Sequence, residues 1–155
     1  IDCLAILPHL KSGKLLDIGT GAGLPGVIIA ICQPQREVTV LDSNQKKIRF
    51  IRQSISELKI TNVTPVASRI ENFVPEEHDK FDVVTSRAFA SLTDFVGGAD
   101  PRLGKNGWLQ AMKGLIPEPE DINALVNEWQ IEHIALDVPY LHETRHLTEL
   151  VKISD

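Results

Sequence analysis

The residues best placed to do chemistry are Asp17-Ile18-Gly19-Thr20-Gly21-Ala22-Gly23-Leu24-Pro25-Gly26, which follow the apolar pair Leu15-Leu16. An apolar strand ending in an acid and a glycine-rich turn is the pattern of a nucleotide-cofactor loop. Gly19, Gly21 and Gly23 allow positive φ and remove Cβ atoms that would hold a ligand off the backbone. Gly21 to Gly26 also satisfies G-x-G-x-x-G, the dinucleotide fingerprint. A helix N-terminus at that point would favour a pyrophosphate, whereas the Asp17 carboxylate would repel it. The acid favours a cationic ligand. S-Adenosylmethionine is one, with an ammonium and a positively charged sulfur, and Asp17-x-Gly19-x-Gly21-x-Gly23 fits it better.

Further anchors follow. Asp42, with Ser43 beside it, closes the second apolar run and is placed to accept from both hydroxyls of a ribose. An acid there serves NAD equally well, or simply caps the next helix. Ser68-Arg69-Ile70-Glu71-Asn72-Phe73 could set Ile70 and Glu71 against an adenine edge; the alternative is a first helical turn in which Glu71 favours the dipole. Arg87 and Lys113 end two later apolar runs, where an open parallel sheet holds its ligand crevice. Lys113 could equally be a surface charge. Lys46, Arg49 and Arg52 recur every three residues, with Lys47 and Lys59 nearby and only Glu57 opposing. That is a phosphate-binding stripe or a solvated helix face.

These residues need elements to hold them. Leu15 to Ile18, Val38 to Leu41, Val63 to Ala67, Phe81 to Ser86 and Gly107 to Met112 read as strands, and Pro65 suits the third to a sheet edge. Pro25 to Cys32 reads as a helix with proline near its first turn. Asp42-Ser43-Asn44 caps a helix through Leu58, with Ile48, Ile51, Ile55 and Leu58 at core spacing. Leu92 to Val96 and Glu118 to Trp129 read as further helices. Ile131 to Val138 and Leu147 to Ile153 read as a closing hairpin-like edge. Ile1 to Leu7 reads as the end of an amphipathic helix stopped before Pro8. No internal repeat is visible. Alternating strands and helices predict a parallel sheet covered on both faces.

Composition fits one globular domain: 155 residues, 43% apolar and 24% charged. Cys3 and Cys32 are too few for a disulfide framework, and the apolar run around Cys32 predicts a buried, reduced thiol in a cytoplasmic protein. No run reaches the roughly 18 apolar residues of a membrane span. The net charge of −5 disfavours general nucleic-acid affinity. It is unevenly spread, however: Glu118 to Asp137 holds six acids and no Lys or Arg, and is expected to turn away from any RNA. His9, His78, His133, His142 and His146 lack zinc-site spacing, and no metal is expected. His146, beside Arg145, is either an RNA or donor contact or an ordinary packed histidine.

Taken together, the turn at Asp17 to Gly26, Leu41-Asp42-Ser43, Ser68-Arg69-Ile70-Glu71, Ser86-Arg87-Ala88-Phe89-Ala90, Met112-Lys113-Gly114 and Arg145-His146-Leu147 resemble the bacterial ribosomal RNA small-subunit methyltransferase G family, also called glucose-inhibited division protein B. The resemblance runs from Ile1 to Ile153. It implies a class I S-adenosylmethionine-dependent methyltransferase fold: an α/β, Rossmann-like, mostly parallel seven-stranded sheet with helices on both faces. It implies methyl transfer to N7 of one guanine in the decoding region of 16S rRNA, with donor contacts at Gly19, Leu24, Ile70, Glu71 and Arg87. It further implies a helical segment upstream of Ile1.

The resulting expectation is a single, monomeric domain over 1–155. Its donor site comprises Asp17, Gly19, Gly21, Gly23, Leu24, Asp42, Ser43, Ile70, Glu71 and Arg87. Arg87 and Lys113 act on the acceptor. Lys46, Arg49, Arg52, Arg69, Arg145 and His146 meet 16S rRNA or the small ribosomal subunit. A small-molecule methyltransferase, a non-enzymatic donor-binding RNA adaptor and, more distantly, a dehydrogenase remain alternatives.

Overall fold

The computed structural model describes residues 2–113, 116–137 and 145–154. Ile1, Gly114, Val138 and His142, which enter the readings above, lie outside them. In order come α1 (Asp2–Ala5), β1 (Leu15–Ile18), α2 (Gly26–Cys32), β2 (Val38–Asp42), α3 (Gln45–Glu57), β3 (Val63–Ala67), β4 (Phe81–Ser86), α4 (Leu92–Ala99), β5 (Leu103–Lys113), α5 (Pro119–Asn123), β6 (Trp129–Leu136) and β7 (Arg145–Lys152). Seven strands form one sheet in the order β3-β2-β1-β4-β5-β7-β6. The first five are parallel, and β7 inserts antiparallel between β5 and β6.

Continuous apolar runs form the central strands because both faces of the sheet are covered. Successive side chains alternate between those faces. Leu16, Leu41 and Leu109 join Leu92 and Phe95 of α4 in one core; Leu15 and Val40 join Ile29 of α2 and Ile48 and Ile51 of α3 in the other. Among the described residues no helix is long and apolar enough to cross a membrane.

Asn44 is the residue that caps α3, its side chain accepting from Lys47 N at 3.1 Å. Ile48 and Ile51 are buried as their spacing requires, but Ile55 is half-buried and Leu58, at the C-cap, is 64% exposed. Pro65 sits on the edge strand β3, opposite Val40. No strand lies outside it to need its missing N–H.

Several boundaries differ from those read in the sequence. The helix expected from Glu118 to Trp129 ends at Asn123; Trp129 opens β6 and is buried. The spacing of Leu125 and Trp129 is that of one helical turn, and Trp129 N does donate to Leu125 O at 2.9 Å, but this turn does not continue α5 and leads directly into β6. β5 starts at Leu103 rather than Gly107, because Asn106 at φ 64° and a shift in its pairing with β4 absorb the irregularity. α4 continues to Ala99 through Gly97-Gly98. Cys32 is exposed, since it falls on the outer side of α2, while the buried thiol is Cys3.

Candidate active site

The turn after β1 is built around Asp17, whose side chain is wholly buried. Its Oδ2 accepts from Thr20 Oγ1 at 2.6 Å and from Gly26 N at 2.9 Å. Gly26 is required for that approach: a Cβ there would fall 2.5 Å from Val40 Cγ1 and 2.9 Å from Asp17 Oδ2. Burial pushes the Asp17 carboxyl up to about 7 against the pull of these two hydrogen bonds. Its other oxygen, Oδ1, is buried without a partner, as is Oγ1 of Thr85, the register partner of Asp17 on β4. Gly21 has φ 59°, and a Cβ there would meet nothing within 4 Å, so the turn exposes bare backbone to open space.

Asp42 fastens this turn to the end of β2. Its Oδ2 accepts from Gly21 N and its Oδ1 from Asn44 N, both at 2.8 Å. The carboxylate expected from the sequence to meet a ribose is thus a structural clamp in this fold, with two backbone donors already on it. Gly19 N and Thr20 N donate to Leu41 O at 2.8 and 3.0 Å, holding the two loops together. Beside them opens a cleft of about 810 Å³ at the C-terminal ends of the parallel strands. Gly19, Gly21, Asp42, Ser43, Arg69, Ile70, Glu71 and Ala88 line it. Lys47, read beside the basic stripe, and Ser68, which opens the expected adenine anchor, also line it, together with Gln45, which carries no motif in the sequence. The stretch Ile70–Asn72 forms a single 3-10 turn, and Arg69 Nη1 stands 4.0 Å from Glu71 Oε1.

One residue the sequence did not flag holds this wall in place. Arg102, only 6% exposed, donates through Nε to Phe73 O at 2.8 Å, and its guanidinium also reaches Gly98 O and Ile70 O. A lone arginine after a proline carries no sequence signal for such a role.

Arg87 and Lys113 lie at the ends of β4 and β5. Arg87 is exposed, and its Nη1 donates to Cys3 Sγ at 3.6 Å, a contact between α1 and the site. Burial raises the Cys3 thiol, with Arg87 opposing. Lys113 Nζ donates to Phe89 O at 2.7 Å. Ser86 Oγ donates to Ile18 O at 2.7 Å and accepts from Ala88 N at 3.0 Å, turning the chain after β4. Lys113 also lines a second cleft of about 730 Å³ with Ala90, Ser91, Ile116, Glu118, Glu120 and Asp121. The front of the acidic segment, Glu118 to Asp121, therefore shares this cleft with Lys113.

The remaining expected residues divide. Asp17, Gly23, Leu24 and Arg87 do not line the larger cleft; Leu24 is 42% exposed. Lys46 and Arg49 are exposed on α3. Arg52 leaves the proposed stripe: its Nη2 donates to Pro65 O at 3.2 Å, covering the outer edge of β3. Arg145 opens β7 opposite Leu136, and His146 stands in register with Lys113. Among the described residues, the buried Nδ1 of His146 has no hydrogen-bond partner. Among the described residues no group of three His, Cys, Asp or Glu side chains is arranged to hold a metal.

A sheet of this order, with its reversed β7, a glycine turn after β1 and an acid ending β2, has the class I methyltransferase fold. Its backbone superposes on a methyltransferase from Pyrococcus furiosus with TM-score 0.70 at 19% identity, covering 96% of this chain and 79% of that one. The family model described as rRNA small subunit methyltransferase G matches residues 1–148. A protein of that name from Psychrobacter sp. (strain PRwf-1) is 80% identical over 99% of this chain and 68% of its own length. Another, from Psychrobacter cryohalolentis, is 63% identical over 97% of this chain and 61% of its own. The chain belongs to the rRNA small subunit methyltransferase G family, whose members depend on S-adenosylmethionine.

Proposed function

We propose that this chain transfers a methyl group from S-adenosylmethionine to N7 of one guanine in the decoding region of 16S rRNA, acting as a cytoplasmic monomer on the RNA or the small ribosomal subunit. The observation that carries the reading is the arrangement of two clefts along the C-terminal sheet edge, one beside the glycine turn and one at Lys113.

The larger cleft fits the donor. Bare backbone at Gly21 lets a flat ligand approach, and the buried Asp17 carboxylate supports the turn from behind through Thr20 and Gly26. Asp42 and Ser43 would hold the ribose, using the carboxylate lone pairs left after the Gly21 and Asn44 bonds. Ile70 and Glu71 would flank the adenine. Bound there, S-adenosylmethionine supplies an electrophilic methyl on a cationic sulfur. Guanine N7 carries an in-plane lone pair and is unprotonated at neutral pH, so the chain needs no general base. Its work is alignment and exclusion of water. Arg87 and Lys113 are assigned to guanine O6 and the adjoining phosphates, because a donor on N7 would occupy the reacting lone pair. The Phe89 carbonyl fixes the Lys113 ammonium and leaves it two N–H groups for the acceptor.

Small subunits lacking the modification, incubated with labelled donor, should acquire one methyl group at guanine N7. Methylation at N1 or N2 overturns the mechanism. Donor and RNA binding without transfer would favour the adaptor reading; transfer to small molecules alone would favour the small-molecule enzyme. Arg87→Ala should lower transfer at least tenfold while the melting temperature holds, and unchanged turnover would remove Arg87 from the site.

A further inference from the structure

Phe50 lies in the second turn of α3 and is 57% exposed, although its neighbours Ile48 and Ile51 are buried. An aromatic ring left in water contributes little to folding, because its contribution comes from area removed from solvent. One turn earlier stand Lys46 and Lys47, the positions that share a helix face with residue 50, and Arg49 is adjacent. All three cations are exposed, and among the described residues none has a carboxylate within 4.0 Å. Glu57, the only acid of α3, accepts from Gln53 Nε2 at 3.1 Å. Leu58, the other exposed large apolar side chain of this helix, stands at its C-terminal end two turns away, so beside the cations the apolar area is one ring, too small for a protein-docking patch. A ring framed by unneutralised cations matches single-stranded nucleic acid instead, whose phosphates the cations track while a base stacks on the ring. The surface is continuous with the donor cleft, since Gln45 and Lys47 of the same helix line that cleft.

We propose that Phe50, with Lys46, Lys47 and Arg49, forms a stacking and phosphate-binding site for an unpaired stretch of RNA flanking the modified base. It rests on the RNA-acceptor reading above and adds to it a site away from the reacting atoms.

The test uses the full chain and a 5′-labelled riboadenylate dodecamer, followed by fluorescence anisotropy. Phe50→Ala should weaken binding about tenfold, the scale of one base–aromatic stack. Phe50→Tyr should bind like the wild type. Phe50→Leu, which keeps apolar area without a π face, should bind like Phe50→Ala. Lys46→Gln and Arg49→Gln should each lower the slope of log affinity against log salt by about 0.7. Melting temperatures should not move. A wild type that does not bind the dodecamer, equal binding by Phe50→Ala, full binding by Phe50→Leu, or a lower melting temperature overturns the site; in the last two cases the ring serves a protein contact. Methyl transfer to small subunits separates the two readings. Transfer at N7 together with unchanged dodecamer binding by Phe50→Ala removes the stacking site alone. Phe50-dependent binding without any transfer removes the enzyme reading and leaves the site.

Discussion

Asp17 concentrates the conflict between folding and function in one side chain. It is wholly buried, one oxygen is satisfied by Thr20 and Gly26, and the other has no partner among the described residues. Burial lifts its carboxyl to about 7, against 3.8 for the ordinary group. The unfolded chain therefore releases this proton at lower pH than the folded protein does. Folding is most favourable, on this account, below about pH 4; the contribution falls as pH rises toward 7 and levels off above it. Asp17→Asn keeps an oxygen for Thr20 and Gly26 and removes the titration. Its melting temperature relative to wild type should climb between pH 4.5 and pH 7.5, and a flat difference across that range would remove Asp17 as the source. Thr20 and Gly26 were visible in the sequence only as parts of a glycine-rich turn. That they hold the acid depends on how the turn folds back, which residue spacing does not show.

Elements position the site through their ends. The carboxylate of Asp121, on α5, accepts from Leu92 N at 2.6 Å and Thr93 N at 2.8 Å, and also from the Thr93 hydroxyl. Ser91 Oγ accepts from Asp94 N, so the first turn of α4 carries two caps from different parts of the chain. Burial alone would raise the Asp121 carboxyl; the Thr93 hydroxyl and the two backbone N–H groups hold it below its usual value instead. Such a group stabilises the fold above the ordinary carboxylate value, and the contribution is lost as pH falls through the depressed one. Asp121→Ala should cost about 1–2 kcal/mol at neutral pH, the range of a lost helix cap. The loss should shrink toward pH 3, as followed by urea unfolding; an equal loss at both pH values would mean that packing, not the ionised cap, is responsible. The sequence predicted α4 and a helix around Asp121 separately, and the residues that join them, Thr93 and Asp121, lie 28 residues apart in the chain. Local pattern identifies β1, β2, β4 and the core face of α3 because each follows its own periodicity. It misplaces the end of α5 and the start of β5, where a turn and a positive φ at Asn106 override the apolar spacing.

Across the whole molecule, Gln110 ties the segment after α1 to the far side of the sheet. It is wholly buried on β5, accepts from Lys11 N at 3.1 Å, and donates to His9 O at 2.8 Å and Glu149 Oε1 at 2.9 Å. One amide thus serves the chain before β1, the centre of β5 and a nearly buried acid on β7. The same N-terminal segment places the Cys3 thiol on Arg87, so its anchoring bears on the position of the arginine that the proposed function assigns to the acceptor. Charge follows the sheet order: unneutralised cations on α3 lie beside the β3 edge, while Glu128 and Glu132 belong to the opposite edge at β6. The net charge of −5 consequently does not describe the surface around the cleft beside the glycine turn. Gln110→Leu preserves side-chain size but strands the Lys11 N–H, the His9 carbonyl and the Glu149 carboxylate without their partner. Leaving buried polar groups unsatisfied should cost about 2–4 kcal/mol, allowing for water reaching the groups nearest the surface. Urea unfolding should show a lower midpoint, and hydrogen exchange at Lys11 should accelerate well before global unfolding. An unchanged midpoint with Lys11 still protected would show that the N-terminal segment is held by its apolar contacts alone, with Ile6 rather than Gln110 as the anchor.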